Sequence, residues 1–187
     1  DFEGRKAYVR RIDCDYYTDA ITYTKVAELE RFSSGDADRK AHGEVHVSSR
    51  VVGFKKIKFY TNENVGSGEL DLPEQQMHTT AYWLTVPRAV MAALPYAPDD
   101  RRDGIVGLSF ALKQVAQLLL MCDRFDIGIS IGSADGEPEA AMTRHGLPAQ
   151  VSDEPRIYVY DNYPGGIGFS QPLFDLQDRK STRLNSS

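Results

Sequence analysis

At 187 residues the chain is long enough for one domain, or for two small ones sharing a core. Its 41% apolar and 26% charged residues are ordinary for a globular protein, and a net charge of −5 gives no global attraction to nucleic acid. The longest apolar run, Leu118 to Cys122, is far too short to cross a bilayer, no signal-like segment opens the chain, and two cysteines make no disulfide framework. The expectation is therefore a cytoplasmic chain with no membrane partner and with Cys14 and Cys122 as reduced thiols. Asp1 is not a natural start, so the chain reads as a piece of a longer protein.

Residues 1–87 read as mostly β, with Lys6–Ile12, Ile21–Phe32, Gly43–Tyr60 and Thr79–Val86 rich in β-branched and aromatic residues. Ser33–Asp38 is a polar turn, and Asn62–Glu69 is a flexible loop. Alternation over Glu44–Val51 predicts one buried and one wet face, and Gly53 breaks the ribbon as a bulge or barrel corner does. The second half is α with short strands. Pro87 opens a helix over Arg88–Leu94, which Pro95 and Pro98 end. Asp103 caps a longer helix, Gly104–Cys122, whose apolar residues cover most of its circumference and so predict burial at the centre of the fold. Strands follow over Ile127–Ile131 and Ile157–Tyr160, and from Ile167 the pattern turns helical, with Phe169, Leu173 and Phe174 on one face.

Between that last strand and helix lies the most informative stretch, Asp161-Asn162-Tyr163-Pro164-Gly165-Gly166-Ile167-Gly168. A strand, a Gly-rich turn and a helix present free N–H groups at a positive dipole end, where an anion is held or two backbones pack closely. The stretch lacks the Lys-Ser/Thr of a P-loop and the spacing of a dinucleotide fingerprint, so Asp161, Asn162, Pro164, Gly165, Gly166 and Gly168 are assigned to a structural turn. Asp123, Asp126 and Asp161 can gather at the ends of neighbouring strands as acids or metal ligands, with turn and helix-end roles the commoner use of such residues. His42 and His46 lie four apart on a strand, about 13 Å from each other, so they share no ion and are expected to face solvent. His78 and His145 are isolated, no metal site is expected, and no catalytic constellation assembles. The remaining signal is aromatic and basic interleaving in the β half. Tyr16, Tyr17, Lys55, Lys56 and Lys58 are candidate contacts to single-stranded nucleic acid, rings for bases and lysines for phosphates; core packing with solvated lysines is the competing reading.

Four collinear blocks carry a family resemblance: Tyr8-Val9-Arg10 with Asp15–Thr18; Gly43–Val47 running into Val52–Phe59; Glu69–Pro73 with Thr80–Thr85; and Cys122–Gly128 with Tyr160–Gly168. Together, over residues 1–178, they resemble the C-terminal region of bacterial DEAD/DEAH-box helicases of the mitomycin-repair-factor type. The resemblance implies an ATP-driven superfamily 2 helicase that moves 3′ to 5′ on DNA in repair, with its two motor lobes preceding Asp1. It also implies zinc-binding cysteines after the Gly-rich turn, which this chain lacks, since no cysteine follows Cys122. Ser181–Ser187 looks like translated adapter read-through.

The expected fold is α+β: a β-rich unit over 1–87, antiparallel and open or barrel-like, packed on an α/β unit over 88–178 with a central buried helix, then a non-native-looking tail over 179–187. The expected function is that of an accessory segment with single-stranded DNA and the motor lobes of the same polypeptide as partners. ATP, Mg²⁺ and zinc belong to the full-length parent, because this chain has no residue set that grips a triphosphate. Two alternatives stand beside it: a nucleotide or small-molecule enzyme using turn 164–168, and a purely structural module.

Overall fold

The computed structural model describes residues 2–3, 6–35, 39–134 and 151–176. His145, residues 36–38 of the expected turn and the tail from 179 lie outside the described residues. Strands β1 (Phe2–Glu3) and β2 (Lys6–Ala7) form a minimal pair, so the strand expected over Lys6–Ile12 stops at Ala7. β3 (Tyr16–Gly35), β4 (Lys40–Lys58), β5 (Asn64–Glu69), β6 (Gln75–Thr85), β7 (Ile127–Ser133) and β8 (Pro155–Asp161) build one antiparallel sheet. Its order is β3-β4-β6-β8-β7, with β5 on β4, so the sheet runs across the boundary drawn at residue 87.

β4 organises this sheet by changing partner. Lys40–Ser49 pair with β6 and Gly53–Ile57 pair with β5, while β3 follows β4 along its length. A register shift at Ile21/Thr22 lies opposite Gly53, so the bulge expected there is present and marks where the ribbon leaves the body of the sheet. The segment expected as a flexible loop, Asn62–Glu69, is largely strand β5. Its glycines carry little β propensity, but Gly68 leaves room for the Phe54 ring, which a Cβ there would meet at 2.6 Å.

The period-2 pattern sorts the sheet into two faces. Ala41, Val45, Val47, Ala81, Trp83, Tyr158 and Tyr160 form a core on one side. The sheet curls around it: the Ser130 hydroxyl donates to the Thr24 carbonyl, and Glu28 of β3 receives Arg156 and the Tyr158 hydroxyl of β8. The curl brings β3 toward β7 without ladder pairing between them, so the barrel stays open. Glycine at 128 is what lets this core close, because a Cβ there would fall 2.1 Å from the Tyr160 ring.

Helices cover the other face. α1 (Arg88–Ala93), α2 (Pro98–Leu120) and α3 (residues 170–176) contribute Met91, Ile105, Ala116, Leu173 and Phe174 against Tyr82, Ile127, Ile157 and Val159. α2 begins six residues before its expected start. Pro98 stands at its first position, Ala97 is the cap in place of Asp103, and Asp99 and Asp100 complement the dipole.

The expectation that α2 is buried centrally is corrected. Only Ile105, Ser109 and Ala116 are buried, one narrow stripe against the sheet, and Leu108, Phe110, Val115, Leu118 and Leu119 face outward. Apolarity all round a helix says that it wants cover on every side; these described residues supply cover on one. By length and composition α2 could cross a membrane, with a mean hydropathy of 1.2 over its most apolar window. It nevertheless packs on a sheet through its buried stripe and opens with the charged run Asp99–Asp103. Gly128→Val should lower stability by about 1–3 kcal/mol through overpacking against Tyr160, read as a lower urea midpoint with an unchanged slope.

Candidate nucleic-acid interface and the glycine turn

The Gly-rich turn does hold an anion, and the anion is the chain's own. Asp161 is the last residue of β8 and is 0% exposed. Its Oδ2 accepts from the backbone N–H groups of Ile167 (2.8 Å), Gly168 (2.7 Å) and Phe169 (3.2 Å), and its Oδ1 from Ser170 (3.0 Å). The Thr80 hydroxyl adds a fifth donor at 3.2 Å. Positive φ at Gly165, Gly166 and Gly168 (82°, 74° and 88°) folds the turn back so that these donors converge. Thr79 fixes its base, donating to the carbonyls of Asp161 and Tyr163. Gly166 also lies against Thr80, whose hydroxyl a Cβ would meet at 2.4 Å. With the nest filled by Asp161, its N–H groups are not open to a phosphate.

A buried polar chain continues from this turn. The Ser170 hydroxyl donates to Thr80 at 3.0 Å, and His42 Nε2 lies 3.2 Å from Ser170 Oγ. His42 is therefore not solvent-facing as expected: it is 5% exposed, edge-on to Phe32, and its Nδ1 has no protein partner. The strand's outer face is covered here by α3, which sequence periodicity alone does not reveal. Burial pulls the imidazole below its ordinary value, with Asp161 and Asp175 opposing. A serine, a histidine and an aspartate thus meet, but Asp161 is engaged by backbone donors and does not orient the imidazole, so no nucleophilic triad forms.

The five candidate contacts gather at the free end of the β3–β4 ribbon. Tyr16 pairs with Lys58, Tyr17 with Ile57, Thr18 with Lys56 and Asp19 with Lys55. Alternation divides them: Tyr16, Lys56 and Lys58 share one face, and Tyr17 and Lys55 the other. Lys56 Nζ already lies 5.1 Å from the Tyr16 ring centroid, whereas Tyr17 is 43% exposed and packs against Phe59 at 5.6 Å with the rings tilted by 40°. Phe59 and Tyr60, absent from the five candidates, carry more open ring surface than Tyr16 does. Their place at the end of a predicted strand was the available signal. A separate cavity of about 330 Å³ lies between α1, the start of α2 and residues 151–153, remote in sequence from the Gly-rich turn. The Arg101 guanidinium on its wall is held by the carbonyls of Leu94 and Tyr96.

Comparison with known proteins places this arrangement. Residues 108–184 match the family described as MZB, the MrfA Zn-binding domain. Over 176 residues the chain is 35% identical to a Bacillus subtilis (strain 168) protein described as the uncharacterized ATP-dependent helicase YprA, covering 93% of this chain and 21% of that protein. Over nearly its whole length the chain is similar to one segment of that helicase. Its fold agrees with the crystal structure of the DUF1998 helicase MrfA bound to DNA, at a TM-score of 0.53 and 33% identity over 94% of this chain. It spans about a fifth of the length of these relatives (21% in each).

The MrfA family description names zinc, and the described residues do not fit it. Among them no three His, Cys, Asp or Glu side chains converge as a metal site requires. His46 and His78 stack edge-on at 5.0 Å, a pair without further ligands. Cys14 and Cys122 are free and apart, and burial followed by the Asp126 charge pushes the Cys122 thiol up, away from the thiolate a metal needs.

Two outcomes test this site. Asp161→Asn, which removes the charge and half of the acceptors, should cost about 2–3 kcal/mol in chemical denaturation. For His42 the folded-state value lies below the unfolded 6.5, so its neutral form stabilises fully above that pH. That stability is lost as pH falls below 6.5, and His42→Gln should flatten the stability difference between pH 7.5 and about 5.

Proposed function

We propose that this chain is an accessory segment of an ATP-dependent 3′-to-5′ DNA helicase, acting in cytoplasmic DNA repair, that grips single-stranded DNA and braces the motor. The observation that carries the reading is collinear homology, over nearly the whole chain, to a helicase whose structure is described as bound to DNA. Catalysis belongs elsewhere in the polypeptide, where ATP and Mg²⁺ would bind; zinc likewise belongs to residues other than those described. DNA contact is assigned to the ribbon end, where Lys55, Lys56 and Lys58 can neutralise phosphates beside exposed rings.

Bracing is assigned to the outer face of α2. Leu118 there is 79% exposed, and with Leu108, Val115 and Leu119 it forms an apolar strip of a kind that marks an interface. The motor lobes are its proposed cover, because about four-fifths of a related helicase lies outside this segment. The enzyme reading built on turn 164–168 loses its support, since Asp161 occupies the donors a ligand would use.

Fluorescence anisotropy of the chain with labelled single-stranded DNA, across a salt series, tests the DNA role. Salt-sensitive micromolar binding supports it; no binding at low salt by the folded chain leaves a brace alone. Charge reversal of Lys55, Lys56 and Lys58 to Glu should weaken binding and reduce the salt slope by about 0.7 for each phosphate no longer neutralised. Leu118→Glu should change the chain's own stability by no more than about 0.5 kcal/mol, yet weaken its association with motor lobes supplied as a separate chain.

A further inference from the structure

We infer that the tip of the β4–β5 turn is a base-stacking platform for single-stranded nucleic acid, built from Tyr17, Phe59 and Tyr60. The inference rests on the DNA-contact reading and goes beyond it, because it assigns the bases to named rings. Tyr17 and Phe59 lie with centroids 5.6 Å apart and planes tilted by 40°, and Phe59 and Tyr60 follow at 6.4 Å and 54°, so three neighbouring rings with separately directed faces run onto the tip. Tyr60 is fully exposed and Phe59 is 43% exposed, so both leave ring surface open to solvent.

The backbone goes to some length to present Tyr60. The Thr61 N–H closes a three-residue turn onto the Phe59 carbonyl at 2.8 Å, and Asn62 closes onto Lys58 at 3.1 Å. This turn puts Tyr60 at φ 67°, a left-handed conformation that a tyrosine adopts only under constraint. Glycine is the residue such a turn favours; a large ring kept at a strained, solvated apex is the pattern of a contact residue. Lysines lie on both sides of these rings, Lys55 on the Tyr17 face and Lys56 and Lys58 on the opposite one. Phosphates can therefore be neutralised whichever way a strand crosses the tip, while its bases meet the rings.

The test compares binding of a thymine oligonucleotide with that of an abasic oligonucleotide of equal length, which keeps the phosphates and removes the bases. The parent chain should prefer the base-bearing strand by about tenfold or more. Phe59→Ala with Tyr60→Ala should erase that preference and leave the salt slope unchanged, whereas Tyr60→Trp should retain it. Tyr60→Gly should melt no lower than the parent, having relieved the positive φ, yet lose base preference; a tyrosine of purely structural use would show the reverse. Equal binding of both oligonucleotides by the parent, or a preference that survives the double substitution, overturns the platform while the lysine contacts stand. Binding of neither oligonucleotide overturns the DNA-contact reading and the platform with it.

Discussion

A buried carboxylate needs donors on every side, and satisfying Asp161 shapes the centre of this molecule. With no exposure to water, its oxygens must find the hydrogen bonds that solvation would give. The chain supplies them by reversing over three left-handed glycines, so that the start of α3 aims its N–H groups at the end of β8. Thr79 and Thr80 tie β6 into the same knot, and Ser170 extends it to His42 of β4. Three strands and one helix thus share a single polar centre. α3 is then held down by Leu173 and Phe174 in the core and by Lys40 over the Phe174 ring.

The sheet has a different logic at its other end. Through Ser49, β4 is covered on both edges by long strands and on one face by core; beyond Gly53 it has only β3 and the short β5. Few large apolar side chains are buried there, and the rings that remain are shared between the ribbon's own strands and solvent. A ribbon of that kind has little reason to exist for stability. Its aromatic and cationic side chains are tolerated only because the body, with its own cores, folds without them.

Much of this was legible from residue order. Alternation located β4, β-branched and aromatic content located β6 and β8, the Gly-rich turn was identified as a turn, and the helical face Phe169–Phe174 was found where α3 lies. The misses have particular causes. Asn64–Glu69 has a loop's composition, and only pairing with β4 makes it a strand. Pro98 is equally at home after a helix and at the first position of the next, so composition could not choose. His42 looked wet because alternation separates faces without saying which face a later helix covers. Exposure of Phe59 and Tyr60 depends on a turn with two left-handed residues, of which Asn62 is a usual occupant of that region and Tyr60 carries no such mark.

The two open surfaces differ in the physics of what can cover them. The outer face of α2 offers leucine, valine and phenylalanine, so desolvation by another apolar surface is the favourable way to use it, and that gain is not screened as salt rises. The ribbon tip offers rings flanked by lysines, and its attraction to a polyanion falls as salt rises. Exchanging their occupants would strand phosphates against an apolar strip and bury lysines against apolar protein, both costly. α2 packs on β7 and β8 on the face away from the Trp83 core, whereas the ribbon leaves the body of the sheet beyond Gly53, where β4 has only β3 and β5 beside it. One sheet can therefore carry both surfaces without either competing for the other's partner, which is the geometry a segment needs if it is to lean on a motor and still hold a strand.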